Sequence, residues 1–166
     1  HFGHRRLKEL REIRSDDPRE LLPPGLYPAV VVLLADLCGF SSFVRDTRDD
    51  SVVRQSLTTF YSRARHQIHE AGGMLYEASG DVVVGLFGLP EQSDDYVQRA
   101  LEVGRALISI GTSVSTDWQR QIDRNQGAGG VHCSLSVGDL QIFALRPFDR
   151  VHVGAVGDAL NVAREL

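Results

Sequence analysis

The stretch Val30–Asp36 constrains the fold more than any other. It reads Val-Val-Val-Leu-Leu-Ala-Asp, six apolar residues ending in one carboxylate. A short apolar run of this kind is a buried strand. Leu37-Cys38-Gly39-Phe40-Ser41-Ser42 follows, a glycine turn into a polar helix start. A second strand-like run, Asp81–Phe87, opens on a carboxylate of its own. Between them, Ser51–Ala71 is long enough for a crossover helix. If the two strands pair, Asp36 and Asp81 meet at one end of a sheet.

The rest of the chain fits that frame. Leu7, Leu10 and Ile13 recur at helical spacing, predicting a short amphipathic helix within His1–Glu20. Pro18, Pro23 and Pro24 break it, and Leu21–Pro28 reads as a linker into a first strand at Ala29–Asp36. Ser41 or Ser42 is the expected cap of a short helix with Phe40 and Phe43 facing inward. Asp49 and Asp50 open a longer helix to about Glu70, striped by Val53, Leu57, Phe60, Tyr61, Ala64 and Ile68. Ala71-Gly72-Gly73 stops it. Met74–Ser79 and Val82–Phe87 form a hairpin turning at Gly80-Asp81. Ser93–Arg124 is one long helix or two joined at Gly111, striped by Val97, Leu101, Leu107, Ile110, Val114, Trp118 and Ile122. Val131–Val137, Leu140–Leu145 and Val151–Val153 read as three strands, Gly154–Gly157 as a turn, and Asp158–Leu166 as a helix. This order predicts an α/β sandwich with a mixed or antiparallel sheet and a ferredoxin-like core. Residues 1–28 are expected to be an N-terminal helix and linker, and 29–166 the main domain.

Composition narrows the function classes. The formal charge is −4, from 18 basic and 22 acidic residues, which disfavours a general nucleic-acid binder. Cys38 and Cys133 are too few for a disulfide scaffold and are expected as thiols in a reducing compartment. No run approaches the roughly 20 apolar residues that span a bilayer, and no signal-peptide pattern occurs, so a cytoplasmic location is expected. The first residue is His1, not Met, so a longer protein is expected.

Two carboxylates held close together repel, and a divalent cation relieves the repulsion. With the Leu37 carbonyl they make an oxygen-only donor set, suited to Mg²⁺ or Mn²⁺ with phosphates completing the shell. Two such ions would activate an attacking oxygen and stabilise a leaving one. The helix start at Phe40 and Ser41 offers backbone N–H groups to anionic oxygens. The plainer alternative has Asp36 capping the next helix and Asp81 serving the hairpin turn. No Walker loop and no Rossmann fingerprint occurs. Further on, Asn161 and Arg164 lie one helical turn apart, an amide and a guanidinium suited to a ribose and a phosphate. The residues alone favour the plainer alternative, a helix cap at Asp158 with Asn161 and Arg164 facing solvent.

Three motifs now carry a resemblance. Ala35-Asp36-Leu37-Cys38-Gly39-Phe40-Ser41 resembles the first metal motif of class III nucleotidyl cyclases. Gly72-Gly73 with Ser79-Gly80-Asp81-Val82-Val83-Val84-Gly85-Leu86-Phe87-Gly88 is similar to the second, and Val156–Ala163 to the third. The resemblance implies conversion of a nucleoside triphosphate to a 3′,5′-cyclic nucleotide and pyrophosphate, in a homodimer with sites at the interface. It places two Mg²⁺ or Mn²⁺ ions on Asp36, Asp81 and the Leu37 carbonyl, and the ribose on Asn161. The family's transition-state arginine falls where this chain has Glu165; Arg164, one residue earlier, is the expected catalytic substitute from a shifted position, the alternatives being a skipped residue or impaired catalysis.

The base-reading positions also depart from the adenylyl pattern. Where adenylyl cyclases carry lysine this chain has Glu77, as guanylyl cyclases do, and the second selector is Gly154. Tyr76 beside Glu77 suits a smaller base. Gly88-Leu89-Pro90, Asp117–Arg124 and Leu145-Arg146-Pro147-Phe148 resemble the bacterial pyrimidine cyclases of Pycsar antiphage systems. That resemblance implies cyclic UMP, or cyclic CMP, as a messenger for a separate effector. Arg146 and Arg150 lie near the expected site elements and are read as phosphate contacts or as solvated loop charges; the expected substrate contacts are Phe40, Ser41, Tyr76, Glu77, Gly154 and Arg146. The alternatives are a guanylyl cyclase making cyclic GMP, or a degenerate cyclase-like domain that binds nucleotide without turnover.

Overall fold

In a computed structural model, residues 22–121, 129–145 and 152–166 are described. The expected N-terminal helix, Ile122 and the Arg146–Arg150 connection lie outside them. The elements run β1 (Gly25–Cys38), α1 (Phe40–Asp46), α2 (Asp50–Glu70), β2 (Met74–Ser79), β3 (Val82–Phe87), α3 (Tyr96–Gln121), β4 (Gly130–Leu145), β5 (His152–Val156) and α4 (Asp158–Glu165). The five strands make one sheet of order β2-β3-β1-β4-β5, every neighbouring pair antiparallel. The first four strands are the ferredoxin-like core, with β5 added at the β4 edge.

β1 is central and buried on both faces. Val31, Leu33, Ala35 and Leu37 pack under α2 and α3, with Phe60, Ala64, Ile68, Val103, Leu107 and Val114. Val30 and Val32 face the other way, onto Leu140, Ile142, Ala159, Leu160 and Ala163 of β4 and α4. An unbroken apolar strand is what such two-sided burial requires. α1 is pinned by Phe43, whose ring stacks on Trp118 at 4.5 Å and 10°.

Several boundaries differ from the sequence reading. β1 begins at Gly25, inside the expected linker. Its pairing with β4 shifts between Tyr27 and Val30, a bulge that takes up Pro28 and Ala29. The Ala29 N–H donates to the Asp139 carboxylate at 3.0 Å, which carries β4 straight through Gly138-Asp139. Two expected strands are therefore one. Gly154 belongs to β5, and Gly157 precedes α4. Neither Ser41 nor Ser42 caps α1; Gly39 does, with φ 70°, a left-handed turn that an L side chain would strain. Asp49 caps α2 as expected, accepting from Ser51 N–H at 2.8 Å.

α3 runs unbroken through Gly111. A Cβ there would lie 2.0 Å from Val131 Cγ2, so the glycine lets the helix touch β4. That closeness resets the buried stripe to Ala100, Val103, Gly104, Leu107, Gly111, Val114, Ser115 and Trp118, leaving Val97 and Leu101 exposed. Among the described residues, no helix is long and apolar enough to cross a membrane.

Candidate active site

The two carboxylates lie at the same end of the sheet, near enough for their charges to interact. Asp36 sits near the end of β1, opposite Val82 on one side and His132 on the other. Asp81 occupies the two-residue loop between Ser79 and Val82, in which Gly80 takes the positive φ, 56°. The Leu37 N–H donates to the Asp81 carbonyl at 2.9 Å, fastening the loop to β1 by main chain alone. Tyr61, from α2, adds a hydroxyl hydrogen bond to the Gly80 carbonyl.

Electrostatics report the same proximity. Partial burial holds the Asp36 carboxyl above its usual range, the negative charge of Asp81 adds to the rise, and His132 opposes it. Burial also raises Tyr61, and Asp81 contributes. Among the described residues, no hydrogen-bond donor satisfies the Asp36 carboxylate, and no group of three or more His, Cys, Asp or Glu side chains gathers as a metal site. The oxygen donors at this end are the two carboxylates and main-chain carbonyls, with His132 beside Asp36. That set fits a hard divalent cation whose remaining ligands come from water or phosphate. The thiols are a different matter: burial pushes Cys133 up to about 11, with Cys38 contributing, so it is no nucleophile.

A carboxyl raised in the folded state stays protonated to higher pH there than in the unfolded chain. Its contribution to stability is full below the ordinary carboxylate pKa, about 4, and is lost as pH rises through the raised folded value. Asp36→Asn is expected to remove that loss and raise the thermal midpoint of the metal-free protein at neutral pH. Melts of both proteins across the acid-to-neutral range check it; a variant melting lower at pH 7 would contradict it.

The second cluster lies on the α4 face of the same sheet. Glu77 pairs with Val84 and Leu75 with Gly85, so Tyr76 is the extra residue of a bulge in β2. The bulge turns both Tyr76 and Glu77 toward α4. The Ala155 N–H of β5 donates to the Tyr76 hydroxyl at 3.0 Å. Arg164 Nη2 donates to Glu77 Oε2 at 2.6 Å. β2 and β5 are the two outer strands, about 19 Å apart in a flat five-stranded sheet. These contacts therefore require strong curl, which strand twist and the bulge supply.

The remaining predicted residues are placed as follows. Asn161 is exposed on α4, three residues before Arg164. Ser41 is exposed at the start of α1, whereas the Phe40 side chain is 8% exposed and packs against Phe43 and Trp118. Its side chain is core; only its backbone faces the turn. Gly154 lies in β5 opposite Phe143. Arg146 lies outside the described residues. Sequence reasoning missed Tyr61, placed in the apolar stripe of α2, and His132, set aside as an ordinary strand residue. Nothing local marks either, because their partners come from β1 and the β2–β3 loop.

This five-stranded antiparallel sheet with its flanking helices has the fold of nucleotidyl cyclase catalytic domains. Comparison with solved structures agrees. The guanylyl cyclase Cya2 superposes with a TM-score of 0.74 at 21% identity, covering 87% of this chain and 71% of that one. The adenylyl cyclase CyaB from P. aeruginosa gives 0.74 at 16%, covering 86% and 72%. A dimeric guanylyl cyclase domain of the RhoGC fusion protein from the aquatic fungus Blastocladiella emersonii gives 0.61 at 19%, covering 85% and 74%. No family model matches the sequence, and no curated protein does.

Proposed function

We propose that this chain is the catalytic domain of a divalent-metal-dependent nucleotidyl cyclase. Its substrate is a pyrimidine nucleoside triphosphate, UTP before CTP, and its product a messenger for a separate effector in antiphage defence. The observation that carries the cyclase reading is the nearness of Asp36 and Asp81 at one end of a cyclase-type sheet.

Asp36, Asp81 and the Leu37 carbonyl would hold Mg²⁺ or Mn²⁺. Such ions, when bound, lower the cost of ionising the ribose 3′-hydroxyl and offset the charge of departing pyrophosphate. The 3′-oxygen bonds to the α-phosphorus as the bond from that phosphorus to pyrophosphate breaks, and the hydroxyl proton passes to water. Asn161 orients the ribose, holding the 3′-oxygen in line. Tyr61 and the Leu37 N–H keep the Asp81 loop in place through the reaction.

Pyrimidine preference is supported by Tyr76, which the bulge sets beside Glu77 and whose hydroxyl accepts from the Ala155 N–H. The second reading, cyclic GMP, is favoured by Glu77 itself and by the guanylyl cyclases among the structural neighbours. A homodimer is supported by an apolar patch on the sheet face opposite α4. Leu26, Val137, Phe143 and Val156 are exposed there, with Leu26 and Val156 flanking Gln141 on adjacent strands.

Incubation with ATP, GTP, CTP or UTP and Mn²⁺, followed by chromatography of the products, tests the proposal. Cyclic UMP is the expected main product. Cyclic GMP as main product would favour the second reading, and nucleotide binding without any cyclic product would leave a degenerate binding domain.

A further inference from the structure

Arg164 and Glu77 are 87 residues apart in sequence, yet their side chains form a 2.6 Å charge-assisted hydrogen bond. The pair is partly exposed, at 44% and 31% for the two side chains. A surface ion pair in such a setting contributes little stability, so its effect lies in what it does to Glu77. Arg164 occupies Oε2, and among the described residues nothing bonds Oε1. The bulge at Tyr76 and the Ala155–Tyr76 hydrogen bond hold the neighbouring side chain on the same face, narrowing the ways Glu77 can turn.

We propose that Arg164 is a positioning residue that sets base selectivity by occupying one oxygen of the Glu77 carboxylate. The inference rests on the cyclase reading above. A free carboxylate presents two acceptors side by side. That fork matches guanine, whose N1–H and N2 amino group are adjacent donors. With one oxygen turned onto a guanidinium, Glu77 keeps a single forward acceptor. Uracil, with one N–H between two carbonyls, asks for no more than that, and cytosine offers one amino donor. Arg164 thus acts on the base through Glu77.

The test compares wild type, Arg164→Gln, Arg164→Lys and Glu77→Gln by kcat/KM and by equilibrium binding of GTP and UTP with Ca²⁺ replacing the catalytic ion. Thermal melts confirm folding. Arg164→Gln is expected to raise the GTP:UTP ratio about tenfold in both measurements, the worth of one recovered hydrogen bond. Arg164→Lys keeps a cation on Oε2 and is expected to stay near the wild-type ratio. Glu77→Gln, which leaves Arg164 in place, is expected to weaken UTP about tenfold. An equal fall for every nucleotide in Arg164→Gln, with an unchanged ratio, would overturn the inference and assign Arg164 to the transition state or to the fold. Unaltered UTP binding in Glu77→Gln would overturn it too. If wild type makes no cyclic product but the binding ratio shifts in Arg164→Gln, the cyclase reading fails and this inference stands. If wild type binds neither nucleotide, both fall.

Discussion

Asp81→Ala is expected to lower cyclic-nucleotide formation by about 10²–10³-fold or more at saturating Mn²⁺, the loss expected when a group central to transition-state charge stabilisation goes. The fold should survive it. The bond tying the Asp81 loop to β1 runs from Leu37 N–H to the Asp81 carbonyl, and the bond from Tyr61 ends on the Gly80 carbonyl; alanine keeps both. Removing the charge also relieves the repulsion that adds to the burial-driven rise at Asp36. The metal-free variant should therefore melt no lower than wild type, while losing the upward shift that Mn²⁺ gives the native protein. Turnover by a folded Asp81→Ala protein at near wild-type rates would remove the metal assignment at its root.

Gly111→Ala is expected to destabilise the domain by about 1–3 kcal/mol, against the usual direction for such a change. In an exposed helix interior, alanine is better than glycine by about 1 kcal/mol. Here the new methyl would meet Val131 Cγ2 at 2.0 Å, Val131 Cβ at 2.7 Å and the Val131 backbone nitrogen at 3.1 Å. A β-branched residue on a strand cannot rotate its Cβ away, so helix and strand must separate. Val131 pairs with Leu37, next to Asp36, which links this contact to the site. Pairing the substitution with Val131→Ala should recover part of the loss, and a double-mutant cycle of thermal and denaturant midpoints measures the coupling. A single variant more stable than wild type would show that the contact is slack.

Much of the fold could be read from local pattern. Val82–Phe87 and Met74–Ser79 match their expected bounds, because two apolar runs around Gly80-Asp81 leave few other ways to pair. The cap at Asp49 and the stop at Ala71-Gly72-Gly73 likewise depend on near neighbours alone. The misreadings share one cause. Gly138-Asp139 has the composition of a turn, yet Asp139 is held in β4 by the N–H of Ala29, 110 residues away. Val97 and Leu101 look like core and are exposed, whereas Ala100, Gly104 and Gly111 are buried, since side-chain size there is set by how near β4 comes. Hydropathy does not encode that distance.

The candidate site divides in the same way. The chain by itself determined that a carboxylate lies near the end of the central strand and another in the turn of the next hairpin, for buried strands and two-residue loops are short-range outcomes of residue order. Only the tertiary structure decided that Arg164 takes hold of Glu77 and that Ala155 reaches Tyr76. Those contacts join opposite edges of the sheet, and they exist because accumulated twist and one extra residue in β2 curl it until its ends face each other.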